Sequence, residues 1–128
     1  MTKYLTPEEI LRLHFQVIED YGGSHGVRDE GRIMSAVNAP KQIVFGVEQY
    51  PGIVAKAAVY LRNIVADHPF QDGNKRTATA VCGIFLSRNG YYLTATPKDL
   101  ENFVVSVAVK HHDIDFITNW LEAHLSRH

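Results

Sequence analysis

Apolar residues recur three and four positions apart in six segments of the chain, each bounded by residues that start or stop a helix. In the first segment Ile10, Leu13, His14, Val17 and Ile18 share one face, so His14 reads as a core histidine. Thr6 is placed as N-cap, Pro7 as the first helical residue, and Glu9 completes a capping box, with Leu5 and Ile10 flanking the start as a hydrophobic staple. This helix is predicted to run to Asp20, where Tyr21-Gly22-Gly23 ends it. Asp29 caps a second helix through Asn38, and Pro40 stops it.

Lys41 to Tyr50 follows a different pattern. Ile43, Val44, Phe45 and Val47 favour extended backbone, but Gly46 interrupts them, which predicts a flap, either a loop or a short hairpin. Pro51 is predicted to open a third helix whose Ile53, Val54, Ala57, Ala58, Leu61, Ile64 and Val65 form a nearly continuous apolar stripe, placing it at the centre of the fold. A fourth helix begins near Asn74, turns Ala78, Val81, Cys82, Phe85 and Leu86 inward, and stops at Asn89-Gly90. Thr96-Pro97 with Asp99 starts a fifth, and Asp113 caps a sixth that carries Phe116, Ile117, Trp120 and Leu121. The expected fold class is all-α, a compact bundle of these six helices with one short flap, and residues 1–128 read as a single domain without repeats.

Composition narrows the function classes. The 45% hydrophobic and 21% charged content is that of an ordinary globular protein, which excludes disorder. A formal net charge of −1 with scattered basic residues lacks the footprint of phosphate-backbone binding, so nucleic acid is not an expected partner. Cys82 has no second cysteine to pair with and sits in an apolar helical run, where it packs as a small side chain. No apolar h-region opens the chain, and no run of about 18 apolar residues offers a membrane span. The expected location is the cytoplasm.

The chemistry concentrates between the two most apolar helices, in His68-Pro69-Phe70-Gln71-Asp72-Gly73-Asn74-Lys75-Arg76-Thr77. A helix starting near Asn74 directs unpaired N–H groups and the positive end of its dipole into this loop, which suits an anion that Gly73 lets approach. Lys75 and Arg76 add positive charge, and Asp72 is a single carboxylate of the kind that holds Mg²⁺ beside phosphates. His68 alone in the loop can take a proton near neutral pH, so it is the candidate general base, and Phe70 the buried anchor. Taken singly, a histidine before proline also serves as a cap and Asp-Gly-Asn as a turn. Their convergence within ten residues has no structural need behind it and favours a nucleotide site. Elsewhere, His111-His112 beside Asp113 and Asp115 lacks zinc-ligand spacing, and no G-x-x-x-x-G-K-[ST] loop is present. Ser24, Arg28 and Asp29 are candidates for the edge of the site, with Asp29 equally explained as a cap.

The decapeptide HPFQDGNKRT resembles the signature of the Fic/Doc family, and more closely that of its death-on-curing (Doc) branch. YGGSHGVRD (Tyr21 to Asp29), FGVEQYPG (Phe45 to Gly52) and FLSRNGYYL (Phe85 to Leu93) also look like the corresponding Doc-type segments, so the resemblance spans roughly residues 5–110. It implies a helical bundle that binds ATP with Mg²⁺ at the loop and aligns a target peptide along the flap. By this resemblance His68 is the general base, Asp72 the Mg²⁺ ligand, and Gly73, Asn74, Lys75 and Arg76 the phosphate-binding residues. AMP-transferring members usually carry a second glycine and a further arginine where this chain has Lys75 and Thr79, which removes both room and a guanidinium fork for the phosphates. The resemblance then implies transfer of the γ-phosphate to a hydroxyl of a translation factor, elongation factor Tu, by a toxin. The self-inhibitory pattern [ST]-x-x-x-E-[GN] is missing, because Gly26 and Pro97 stand at the first position before Glu30-Gly31 and Glu101-Asn102. Restraint is therefore expected from a separate antitoxin protein. The alternatives are a nucleotidyl transferase and a catalytically silent interaction module, the latter opposed by the intact His68, Asp72 and Asn74.

Overall fold

The computed structural model describes residues 1–128. Six helices follow in order: α1 (Pro7–Tyr21), α2 (Glu30–Asn38), α3 (Ile53–Asp67), α4 (Asn74–Arg88), α5 (Pro97–Lys110) and α6 (Ile114–Ala123), with a 3-10 turn at Ala39–Lys41. The only strands are two short antiparallel pairs, β1 (Ile43–Val44) with β2 (Val47–Glu48) and β3 (Tyr91–Leu93) with β4 (Leu125–Arg127). The fold is all-α.

Local chemistry explains where the helices start. The Thr6 hydroxyl accepts the Glu9 N–H while the Glu9 carboxylate accepts the Thr6 N–H, closing the capping box. Glu9 also pairs with Arg88 of α4, whose guanidinium holds the Glu9 carboxyl down at about 2. Asp29, Thr96 and Asp113 each accept a first-turn N–H at the start of α2, α5 and α6. Each such cap stabilises its helix by about 1 kcal/mol.

The central helix is α3, which packs against α2, α4, α5 and α6. Every residue from Lys56 to Leu61 is buried, as expected of a helix surrounded on all sides rather than lying on a surface. Tyr60 is fully buried, its hydroxyl accepts the Leu5 N–H at 3.2 Å, and burial pushes its phenol up to about 12. Cys82 packs in the same core, and burial likewise raises its thiol to about 12.

The structure departs from the sequence reading in three places. Helix α3 begins at Ile53 behind Gly52, whose φ of 90° is not helical, so Pro51 lies outside the helix it was expected to open. Helix α1 extends one residue further, to Tyr21. On α6, Ile117 and Leu121 face the core, while Phe116 is 49% exposed and stacks on His112 with ring centroids 3.9 Å apart. The pairing of β3 with β4, which joins Leu93 to Leu125 and closes the C-terminus onto the end of α4, carries no signal in so short a pattern. The flap does form a hairpin.

Candidate active site

The ten-residue loop lies where α3 ends and α4 begins, and its backbone is fixed from below. Arg28 caps the end of α3, donating from Nε to the His68 carbonyl at 2.6 Å and from Nη2 to the Asp67 carbonyl at 2.7 Å. A cation there also meets the negative end of the helix dipole. His68 then takes a left-handed conformation, φ 48° and ψ 61°, which turns the chain out of the helix and leaves the imidazole exposed. Two residues later Phe70 drops into the core at 1% exposure, stacked on the His14 ring with centroids 3.8 Å apart and planes 3° from parallel. The Asn74 side chain clasps the Phe70 peptide from both ends: Oδ1 accepts the Phe70 N–H and Nδ2 donates to the Phe70 carbonyl, each at 3.0 Å.

A second segment braces the loop from the side. The Arg28 and Asp29 N–H groups donate to the Pro69 carbonyl, and the Gln71 N–H donates to the Gly26 carbonyl, forming a short bridge between Val27 and Phe70. Asp72 accepts from the Ser24 N–H at 3.1 Å and from the Gly73 N–H at 2.8 Å. These two donors, Ser24 first, hold its carboxyl below the ordinary aspartate value, with Lys75 adding a smaller effect. Gly23 permits the approach, because a Cβ at that position would stand 2.5 Å from Asp72 Oδ2.

The start of α4 is left open. Its N-cap is Gly73, at φ 74° and ψ 20°, and no side chain accepts from the first turn. The room conferred by Gly73 lies on the inner side, where a Cβ would meet Ile18 Cδ1 at 2.9 Å, so this glycine serves loop packing as well as ligand approach. Lys75 is exposed, and Arg76 stacks its guanidinium 4.3 Å over the Tyr21 ring. Thr79, where AMP-transferring proteins usually have arginine, donates its hydroxyl to the Lys75 carbonyl at 2.9 Å and so turns back onto its own helix.

Asp72, Gly73, Lys75 and Arg76 thus flank the uncapped start of α4, and Asn74 contributes a side chain already engaged by the loop, while His68 stands at the other end of the loop, at the left-handed close of α3. All three edge candidates reach the loop, Ser24 and Asp29 through their backbone N–H groups and Arg28 through its backbone N–H and its guanidinium, while the Asp29 side chain caps α2. The sequence reading missed the reach of His14. Its Nε2 donates to the Asp72 carbonyl at 2.8 Å, so a core histidine of α1 holds the loop 58 residues away. Burial lowers its pKa, which favours the neutral ring. Nothing local marks such a contact; only the helical spacing of His14 with Val17 and Ile18 hinted that it faced inward. His111 and His112 serve as the left-handed end of α5 and a stacking partner of Phe116.

Chemically, the arrangement offers a proton acceptor and a carboxylate at the lip of an anion-binding helix terminus. Asp72 stands as a lone ionised carboxylate with no cluster of further metal-binding side chains around it. That fits Mg²⁺, which keeps water and phosphate oxygens as its remaining ligands, better than an all-protein cage. A recess of about 90 Å³ opens on the other side of His68, between Arg62, Val65, Val107 and His111.

The uncapped start of α4 with Asp72 beside it has the form of an anion site. The Fic/DOC family model matches residues 4–86, and the chain belongs to this family, as a member of its Doc type. It is similar to Toxin Doc of Mycolicibacterium smegmatis, 38% identical over 119 residues that cover 91% of this chain and 89% of the relative. It is also similar to Protein kinase doc of Escherichia phage P1, 31% identical over 119 residues covering 93% of each. No helix is long and apolar enough to cross a membrane.

Proposed function

We propose that this protein is the toxin of a toxin–antitoxin pair, a phosphotransferase that moves the γ-phosphate of ATP onto a threonine or serine hydroxyl of a translation factor, elongation factor Tu being the first candidate, and so blocks protein synthesis in the cytoplasm. The observation that supports this reading is that one short loop carries exposed His68 at its start and ionised Asp72 at its end, beside the uncapped start of α4. His68 accepts the proton of the acceptor hydroxyl as its oxygen bonds to the γ-phosphorus; the bond from that phosphorus to the β–γ bridging oxygen breaks, and ADP leaves. The first-turn N–H groups of α4, with Lys75 and Arg76, bind the phosphates and offset their charge, while Asn74 and Gly73 shape the backbone that presents them. Asp72 would hold Mg²⁺, which supplies charge neutralisation on the phosphate oxygens. Catalysis then rests mainly on positioning and electrostatics.

Phosphate rather than AMP transfer is favoured by Lys75 and Thr79. With Thr79 bonded to the Lys75 carbonyl, no guanidinium at that position is available to grip the far phosphates. The name of the phage relative, a protein kinase, agrees with this choice, and that of the mycobacterial one, a toxin, agrees with an antitoxin as partner. Incubation with Mg²⁺, elongation factor Tu and ATP labelled either at the γ-phosphate or in the adenine tests the reading. Label from the γ-phosphate on the acceptor is expected. Adenine label on the acceptor overturns it in favour of nucleotidyl transfer.

A further inference from the structure

Lys56 is the only lysine or arginine buried in the fold, at 2% exposure, and it stands near the N-terminal end of α3. Its ammonium donates to the Tyr50 carbonyl at 2.6 Å and to the Glu48 carboxylate at 3.1 Å. Both acceptors belong to the outgoing arm of hairpin β1–β2. Residues 41–49 are all exposed, including Ile43, Val44, Phe45 and Val47, so the hairpin contributes no buried side chain to the body of the protein. Its incoming arm is fixed by the 3-10 turn and buried Pro40. Between residues 42 and 50 the side-chain hydrogen bonds that leave the hairpin are the two ending on Lys56.

Burying an ammonium sacrifices its hydration, and an apolar side chain of the same length would fill this position at no such cost. Stability does not explain the charge. A directed pair of donors aimed at one arm of a hairpin does explain it, because geometry is what an apolar side chain cannot supply. We propose that Lys56 is a positioning residue that fixes the angle of hairpin β1–β2 against α3, and thereby where a protein acceptor is presented to the loop, without touching nucleotide or reacting atoms. This rests on the reading above, in which the hairpin aligns the acceptor.

The test is Lys56→Met, which keeps the length of the side chain and removes the donors. Backbone ¹⁵N order parameters for residues 43–50 should fall from about 0.85 to below about 0.6, while those of α3 and α4 stay unchanged. In transfer assays with purified elongation factor Tu, KM for the protein acceptor should rise about tenfold or more, with kcat at saturating acceptor and KM for ATP within about twofold of the unaltered protein. Glu48→Ala removes one of the two anchors at a half-exposed position where folding is not at stake, and should shift both readouts in the same direction by less. A hairpin that stays rigid in Lys56→Met overturns the proposal. So does a loosened hairpin with unchanged acceptor KM, or a fall in kcat alone, which would place Lys56 in the chemistry. Absence of transfer by the unaltered protein sinks the phosphotransferase reading, and the order parameters then still decide whether Lys56 is the tether.

Discussion

The α3–α4 loop and hairpin β1–β2 are both short, exposed connections, yet they are held in opposite ways. The loop is tied by Arg28 to the end of α3, by Asn74 across the Phe70 peptide, by His14 under Asp72, and by backbone bonds from Gly26 and Arg28. Removing any one tie leaves the others in place. The hairpin has no buried side chain of its own and leans on one lysine. In the function proposed, groups that meet a phosphate must sit within a fraction of an ångström of their working positions, which an over-determined turn provides. In the same reading, a surface that receives a macromolecule tolerates adjustment, which a single directed tether allows.

The comparison breaks most sharply at His68. His68→Ala should slow transfer by about 10² to 10⁴ and abolish growth arrest, with an unchanged melting curve, because the imidazole is exposed and its backbone is held by other residues. Growth arrest equal to that of the unaltered protein would remove His68 from the mechanism. Asn74→Ala should act on the fold instead. It strips partners from the N–H and carbonyl of buried Phe70, each orphaned group costing about 1–3 kcal/mol, read as a lower urea midpoint. A midpoint that does not move would mean that Asn74 serves ligand alone.

A weaker effect comes from pH. The folded-state pKa of His14 lies below its ordinary 6.5, so the unfolded chain binds its proton more readily than the folded one. The stability this contributes is fully present above pH 6.5 and is lost as pH falls through the lower folded value. Urea midpoints measured from pH 7.5 down to 5 should therefore decline, and His14→Gln should flatten that decline. The smallest stability change is expected in the hairpin: Phe45→Ser, at a wholly exposed tip, should leave the urea midpoint within about 0.5 kcal/mol of the original. If that substitution destabilises the protein measurably, the hairpin is not the loosely held partner of the pair.

By itself the sequence determined everything that depends on neighbours along the chain. Helix starts at Thr6, Asp29, Thr96 and Asp113 follow from a side-chain oxygen three residues before an N–H, and the inward faces of α3 and α4 follow from helical spacing. The candidate site was legible for the same reason, since its base, carboxylate, glycine and cations fall within one decapeptide. What depends on distant residues meeting was decided only by the tertiary structure. His14 reaches Asp72, Arg28 caps α3, Leu93 pairs with Leu125, and Phe116 yields the core to Ile117. Lys56 shows the limit most clearly. In the sequence it is one polar residue interrupting an apolar stripe, and its neighbours would place it at a solvated edge. Only packing α3 on all sides buries it, and a buried ammonium must then find acceptors, which the returning arm of the hairpin provides.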